Sequence, residues 1–511
     1  MERLPQELVA KIAGYLPDRH EGKRIRPALA TLSRSWQGAI EHFTFETLHI
    51  TSDDLGDFFL AFARHRTRRR FLQDLKIDVI LPRYSDEDCA KYETADDRAA
   101  NNDVFSRHTL GLLKELSQWP AGGKLNLVIG MYSPMDSIHR DPEKLDRDRY
   151  EVALGRRQDI FSERYCYSYI RFADTCPVVP RVTSLYAHSG TRFLDPGSLV
   201  ALTAAFPNLE RINWPYEDPG YFLALRRQQM QEFASAIASF QPSSACKTLY
   251  ININSPWYPH KERLPNLNSG DKSFCDALSA MLGRSNIQRL DYEGPIDPTL
   301  FWPQESSETE DTSSWESLRE MQVHFGLGSL AGQWFFKGLR GDRFYDQSSD
   351  VPLSQDAAGL LPPGYYDSDE KNEEAIALAK SMEMPNDGEG FVVDGCEFRC
   401  VPRDEAIAPL LTAVARRLAH TPSLQTVHLE TALPRDKGAW FCSFQAPGEM
   451  SDWDEYVDCE GSGCNDPLSR ARVFLHAGDW RPDEEVVADL RAVGRALYGE
   501  DAIVTFLPFL Y

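Results

Sequence analysis

The chain contains LERINW at residues 209–214, CKTLYI at residues 246–251 and IQRLDY at residues 287–292. The three segments share one pattern, in which an apolar residue is followed by two residues, a second apolar residue, one residue and a third apolar residue. The second and third apolar positions alternate with a more polar one, which is typical of a strand with one buried face. Each copy therefore predicts a β-strand whose apolar residues all face the same way.

Six further copies of this pattern occur, one of them in degenerate form. They begin at Phe45, Leu72, Leu125 (the degenerate copy), Val182, Leu318 and Leu424. Several copies follow an apolar stretch of helical character and a turn, as at residues 199–208, 274–286 and 406–423. Helix, turn and strand in repetition predict an α/β fold in which each unit buries its apolar face against its neighbour.

The spacing of the copies is irregular. Close neighbours begin 27 to 41 residues apart, whereas two intervals of more than a hundred residues, the first of them divided by the degenerate copy at Leu125, require insertions. The pattern resembles irregular, degenerate leucine-rich repeats, although the asparagine that usually follows the strand in that family is not evident. The resemblance implies a leucine-rich-repeat-like α/β solenoid over residues 47–511. The residues alone also allow a generic α/β domain with several buried strands.

Acidic residues are concentrated in three segments rather than spread evenly. Residues 342–374 and 445–466 each carry a net charge of −7, and residues 304–312 carry −4, out of a formal total of −22. Segments rich in Asp, Glu, Ser, Gly and Pro bury too little apolar area to offset the entropy of ordering. We therefore predict acidic loops inserted into a nearly neutral frame, either as plain solvated loops or as a contact surface for a basic partner.

The first fifty residues carry two short helical patterns. The first has apolar residues at steps of four, which lie on one helical face: Leu4, Leu8, Ile12 and Leu16. The second has them at steps of three or four: Leu29, Leu32, Trp36 and Ile40. About 45 residues are too few to hide so many large apolar side chains. The unit should pack on another protein, or on the rest of the chain as an ordinary helical cap.

The order and spacing of these residues resemble an F-box over residues 1–46. The matching residues run from Leu4-Pro5 through Glu7-Leu8, Ile12 and Leu16-Pro17 to Leu29, Leu32-Ser33-Arg34, Trp36 and Ile40. The loop between the two halves is a few residues longer than usual for the family. The resemblance implies docking on a Skp-type adaptor, which links the chain to a cullin ubiquitin ligase. The residues that would form or support that surface are Leu4, Pro5, Leu8, Ile12, Leu16, Leu32 and Trp36.

Two features allow either a structural or a functional interpretation. Five arginines lie within the seven residues 64–70, where they suit the carboxyl end of a predicted helix or a phosphate ligand. Two cysteine pairs, Cys396 with Cys400 and Cys459 with Cys464, have looser spacing than most structural zinc sites. We expect free thiols there, with a zinc clamp between two loops as the alternative.

Motifs of common enzymes are absent or incomplete. The sequence has no phosphate-binding loop, no HExxH and no GxSxG. The glycines of residues 326–332 are one residue too far apart for a dinucleotide loop, and the His-x-Glu at residues 428–430 lacks the cysteines of a zinc deaminase. We expect no enzyme activity, no cofactor and no metal, and keep a hidden enzyme within residues 304–470 as an alternative.

Composition limits the class of partner and the compartment. The net charge of −22 argues against general binding to nucleic acid. The sequence contains no run of about 18 apolar residues, so we expect no membrane span, and the first residues do not resemble a signal peptide. Ten cysteines in 511 residues and no Asn-x-Ser/Thr sequon fit a reducing interior, so we expect a cytoplasmic or nuclear protein.

The F-box-like and repeat-like patterns together resemble substrate-receptor subunits of Skp–cullin–F-box (SCF) ubiquitin ligases. The resemblance implies that residues 1–46 bind the adaptor and that residues 47–511 bind an unknown protein to be ubiquitinated. The alternative is a non-catalytic repeat scaffold whose N-terminal helices only cap the fold, or bind the adaptor without a cullin.

Overall fold

The computed structural model describes most of the chain, with gaps. The described residues are 5–15, 19–20, 23–24, 29–85, 87–89, 91–136, 162–172, 175–187, 192–220, 222–255, 260, 263–268, 273–303, 315–339, 359–382, 398–434, 437–457 and 466–508.

The strands of the described residues fall into one large sheet and three small pairs. The large sheet contains β3 (Thr47–Thr51), β4 (Asp74–Ile80), β5 (Leu125–Tyr132), β7 (Val182–Ala187), β9 (Arg211–Glu217), β10 (Thr248–Asn254), β11 (Arg289–Glu293), β12 (Glu320–His324), β15 (Thr426–Ala432), β16 (Ala439–Gln445), β17 (Arg472–His476) and β18 (Ile503–Phe506). The pairs are β1 (Arg19–His20) with β2 (Lys23–Arg24), β6 (Tyr169–Ile170) with β8 (Phe193–Leu194), and β13 (Phe336–Lys337) with β14 (Val401–Pro402).

Helices separate most of these strands. They are α1 (Gln6–Tyr15), α2 (Arg34–Glu46), α3 (Leu55–Arg64), α4 (Ala95–Ser117), α5 (Ser162–Tyr165), α6 (Pro196–Thr203), α7 (Leu223–Ser239), α8 (Phe274–Gly283), α9 (Asp369–Met382), α10 (Asp404–Ala419) and α11 (Glu484–Tyr498). Among the described residues, no helix is both long enough and apolar enough to cross a bilayer.

Nine strands of the large sheet, from β3 to β15, are parallel and lie side by side in chain order. All nine copies of the sequence pattern fall on these strands, and equivalent positions pair. Leu249 of β10, for example, lies opposite Ile212 of β9 and Leu290 of β11. The prediction of an α/β fold built on repeated strands is confirmed in this coarse form, a mixed α/β structure with a large, mostly parallel sheet.

The core lies between this sheet and the helices packed on one of its faces. Leu249, Ile251, Leu290 and Tyr292 are almost completely buried and belong to the same apolar cluster as residues of α7, α8 and α10. The residues between them in sequence, such as Tyr250, point to the opposite face, because side chains alternate along a strand. On β10, that second face carries the exposed ring of Tyr250.

The last three strands depart from the repeat. β16 pairs antiparallel with both β15 and β17, and β18 then pairs parallel with β17. Phe441 and Phe474 of this region lie on the face away from the helices, where they form a separate cluster with Val457, Ile503 and Leu507. Trp453, from the acidic segment 445–466, packs on this cluster and stacks on Phe441 with ring centroids 4.5 Å apart. The sequence pattern did not predict this end of the sheet.

The acidic segments are only partly loops. Residues 304–312, 342–358 and 458–465 lie outside the described residues. Residues 369–374 were predicted to be part of a loop, but they form the beginning of α9, and that prediction is wrong there. Acidic residues at the start of a helix are favourable because the helix dipole is positive at that end. The helix also buries Ala375 and Ala379, the latter beside Tyr92 and Phe222.

A buried ionic network joins several connections at the carboxyl ends of the strands. Nε and Nη2 of Arg192 each donate to Oε1 of Glu93 at 3.1 Å, and its Nη1 donates to Asp136. The hydroxyl of Ser168 donates to the other oxygen of Glu93 at 2.6 Å, and the Asn101 amide donates to Oε1 at 3.1 Å. The network ties α4 to the segments that follow β4, β5 and β7, and it fixes one edge of the sheet.

Candidate functional site

The first candidate site is the N-terminal helix pair. Helix α1 packs on α2 through a small apolar cluster that is separate from the main core: Val9, Ala13, Trp36, Ala39 and Ile40. The carbonyl of Pro5 accepts hydrogen bonds from the backbone N–H of Leu8 and Val9, at 3.0 and 3.1 Å, and so begins α1. Ser33 caps α2 by accepting from the backbone N–H of Trp36 at 3.3 Å.

The opposite face of the pair carries exposed apolar side chains. Leu8 and Ile12 on α1 are 47% and 41% exposed, and Leu32, just before α2, is 57% exposed. Tyr15 continues the face along α1 and is almost fully exposed. Large apolar residues left exposed on a packed helix pair are typical of a surface that a partner covers. We call the exposed side chains of Leu8, Ile12, Tyr15 and Leu32 together the N-terminal apolar face.

The residues predicted to dock the adaptor therefore fall into three groups. Leu8, Ile12 and Leu32 lie on the N-terminal apolar face, and Pro5 is exposed at the start of α1. Leu4 and Leu16 lie outside the described residues. Trp36 is only 6% exposed and lies between the helices, so it supports the surface from below and does not form it.

The position of Trp36 leads to a testable expectation. Trp36→Ala should destabilise the helix pair, because removing a buried aromatic ring costs about 3–5 kcal/mol, while the main sheet stays folded. Hydrogen exchange followed by mass spectrometry would detect this as loss of protection confined to residues 5–46. Loss of protection across the nine parallel strands would instead show that Trp36 belongs to the main core.

Two arginines of residues 64–70 form contacts within the chain, and Arg68 joins the helix pair to the sheet domain. Arg68 forms an ion pair with Glu41 of α2 at 2.7 Å, and this hydrogen bond holds the pKa of Glu41 below its usual value despite partial burial. Arg69 pairs with Glu115 of α4 at 3.1 Å and lies over the ring of Trp119. These two members of the arginine run thus make contacts within the chain.

The second candidate site lies at the carboxyl ends of the parallel strands. A cleft of about 600 Å³ opens beside the ends of β10, β11, β12 and β15. Its apolar wall comes from two of the connections that follow these strands: Leu264, Leu267, Phe325 and Trp334. Ligands of parallel α/β sheets commonly bind at this edge, because the connections that follow the strands project there.

Polar and charged side chains line the sheet side of this cleft. Glu293 ends β11, His324 ends β12, and Glu430 lies at the equivalent position of β15. Oε2 of Glu430 lies 3.6 Å from Nδ1 of His324 and 3.2 Å from Nε2 of His428. Asn252 donates to Glu293 at 2.7 Å. Glu293, His324 and Glu430 are aligned across three neighbouring strands, so the two carboxylates lie on the same face of the sheet with one strand between them.

His428 is held by its neighbours. Its ring stacks on Trp453, with centroids 5.7 Å apart, and lies beside Phe441. Burial lowers the pKa of His428, against the opposing effect of the Glu430 carboxylate. The ring is therefore largely neutral at pH 7, and its contact with Glu430 fits a neutral donor at Nε2. The sequence resemblance of residues 428–430 to a zinc site corresponds in the structure to this packed ring.

The back of the cleft contains a satisfied ion pair. Nε of Arg226 donates to Oδ2 of Asp218 at 2.5 Å, and the backbone N–H of Gly220 donates to Oδ1 at 2.9 Å. Burial raises the pKa of Asp218 even though Arg226 opposes the shift. Both side chains are buried, so this carboxyl group serves to hold α7 against the end of β9.

The other candidate motifs have structural explanations or lie outside the described residues. The glycines of residues 326–332 form a turn closed by a β-bridge between Gly328 and Trp334. Cys400 lies beside β14, whereas Cys396, Cys459 and Cys464 fall outside the described residues. Within the described part of the chain, no group of three His, Cys, Asp or Glu side chains is placed to hold a metal ion.

Sequence reasoning located the helix pair but missed the cleft. The cleft is formed by strand ends that are neighbours only in the folded sheet, together with connecting segments such as residues 263–268. One signal was present, since Glu293, His324 and Glu430 each lie one residue beyond the last apolar position of their repeat copy.

Compared with known proteins, the chain matches no protein-family model and no curated protein.

Proposed function

We propose that this chain is the substrate-receptor subunit of an SCF-type ubiquitin ligase. The N-terminal apolar face docks on a Skp-type adaptor, and the sheet domain holds a protein substrate. The observation that carries the proposal is that Leu8, Ile12 and Leu32 are exposed on a helix pair whose other face is already packed. Their positions match those that the F-box resemblance assigns to adaptor binding.

The arrangement of the sheet supports a leucine-rich-repeat-like solenoid as the substrate-binding part. Nine parallel strands follow one another in chain order, and the repeat copies pair in register, as Leu290 of β11 does with Met321 of β12. Two antiparallel pairings, β15 with β16 and β16 with β17, and connections of widely different length make this solenoid irregular. The division proposed is residues 1–46 for the F-box and 47–511 for the repeat domain.

The proposed mechanism is proximity and needs no catalytic residue, cofactor or metal of this chain's own. Holding substrate and ligase in one complex raises the effective concentration of the lysine that accepts ubiquitin near the ligase. The chain would act in the cytoplasm or nucleus, with the adaptor, a cullin and one protein substrate as its partners. Its strongly negative charge favours proteins over nucleic acid as ligands.

The test compares the full chain with a version that lacks residues 1–46, each mixed with a purified Skp-type adaptor and cullin. We expect the full chain to form a stable complex on size-exclusion chromatography, and the truncated chain to elute alone while still melting in one cooperative transition by circular dichroism. Adaptor binding without cullin recruitment would favour the binding-module alternative. No binding by either version would mean that the helix pair only caps the fold.

A further inference from the structure

We propose that the cleft at the carboxyl ends of β10 to β15 binds an extended peptide segment with two basic side chains three residues apart. The inference deepens the proposed function because it names a class of substrate. It rests on that function only in calling the bound peptide segment a substrate. Its three supports are the charge of the cleft, the spacing of its carboxylates and its apolar wall.

Among the described residues, the cleft carries carboxylates that no lysine or arginine neutralises. In the described part of the chain, neither Glu293 nor Glu430 forms an ion pair with a lysine or arginine. Their partners are an asparagine, Asn252, and histidines. Arg226 lines the cleft but is paired with Asp218, so it does not offset these charges. A cationic ligand therefore complements the cleft, whereas an anionic one is repelled.

The two carboxylates are spaced for a particular type of peptide. Glu293 and Glu430 lie on β11 and β15, with β12 between them, and each is aligned with His324. Neighbouring strands are about 4.8 Å apart, which separates the two positions by about 10 Å. A peptide in the polyproline II conformation rises about 3.1 Å per residue with three residues per turn. Side chains three residues apart then point the same way at about 9 Å, which matches the separation.

The apolar wall suits the stems of lysine and arginine. Leu264, Phe325 and Trp334 line the same cleft of about 600 Å³ as the two carboxylates, a volume typical of ligand sites. Long basic side chains bury their methylene groups along apolar surface and place the charged end on a carboxylate. The cleft provides both parts of that environment within one opening.

The probe is a fluorescein-labelled nonapeptide of proline and alanine with two arginines three residues apart. We expect saturable binding to the full chain in fluorescence anisotropy at low salt. Binding should weaken at least tenfold when the arginines are adjacent, or when both are replaced by citrulline, which keeps the shape and removes the charge. These peptide comparisons need no protein variant and are independent of folding effects.

The protein variant for this test is Glu293→Gln combined with Glu430→Gln, with Glu320→Gln as the matched control. Glu320 lies on β12 of the same sheet, but it is at the amino end and pairs with Arg289 at 2.9 Å. We expect the double variant to bind the probe at least tenfold more weakly, and the control to bind as the parent does.

Three results would overturn the inference: no saturable binding to the parent, equal affinity for all three peptides, or equal weakening by the control variant. Equal weakening by the control variant would indicate that the peptide binds to the acidic surface in general and not to a specific site. The assay contains no adaptor, so failure here leaves the adaptor test unaffected, and failure of the adaptor test leaves this binding measurable.

Discussion

The double substitution Leu8→Asp with Ile12→Asp is expected to weaken binding to a Skp-type adaptor by at least about a hundredfold. Both side chains lie on the N-terminal apolar face and are nearly half exposed, at 47% and 41%. Covering a leucine or isoleucine with a partner contributes about 1.5–3 kcal/mol, and each new aspartate adds the cost of burying a charge in the interface. Isothermal titration calorimetry with the purified adaptor measures the change.

The matched control for this prediction is Leu60→Asp. Leu60 lies on α3, outside the helix pair, and is 53% exposed. The charge change per site is the same, so general effects of added acidity on this acidic chain are included in the comparison. We expect the control to bind the adaptor within a factor of two of the parent.

Folding must be followed in the same experiment. Exposed positions tolerate polar substitution, so the melting temperature of the double variant should stay close to that of the parent. If the double variant binds the adaptor as tightly as the Leu60→Asp control does, the N-terminal apolar face is not the docking surface. A large drop in melting temperature would show instead that α1 contributes to the stability of the whole chain.

The strands of the parallel sheet were predictable from the sequence because their signal is local. In each copy, such as residues 246–251, three apolar residues at fixed spacing define a half-buried strand, and all nine copies are strands of one sheet. The exposed side of α1 was predictable for the same reason, since Leu8 and Ile12 are four residues apart on one face. Local periodicity carries this information without knowledge of neighbours in space.

The features that depend on distant contacts were not predictable. β16 and β17 lie in the interior of the sheet, with few polar positions to give an alternating pattern, and their antiparallel pairing depends on the turn after β15. The burial of Trp36 follows from the packing of α1 across α2. Glu293 and Glu430 are 137 residues apart in sequence. They share a cleft only because their strands, β11 and β15, are the two neighbours of β12 in the sheet.

Arg192→Met is expected to destabilise the folded chain by about 3–5 kcal/mol, the usual cost of removing one partner from a buried ion pair. Arg192, Glu93 and Asp136 are almost completely buried, and the guanidinium contacts both carboxylates. Burial lowers the pKa of Arg192, but the two carboxylates raise it by more, so the side chain is charged in the folded state. Urea unfolding monitored by circular dichroism measures the loss.

The comparison that identifies the cause uses two further variants. Arg107→Met makes the same substitution in an exposed ion pair, that of Arg107 with Asp103 on α4. It should change the free energy of unfolding by no more than about 0.5 kcal/mol. Adding Glu93→Gln and Asp136→Asn to Arg192→Met removes the negative charges of both carboxyl groups that Arg192 contacts, and we expect this to restore part of the lost stability. If the triple variant is no more stable than Arg192→Met alone, the loss comes from packing, and the charges of the network contribute little. Restoration would show that electrostatics hold together the connections that follow β4, β5 and β7.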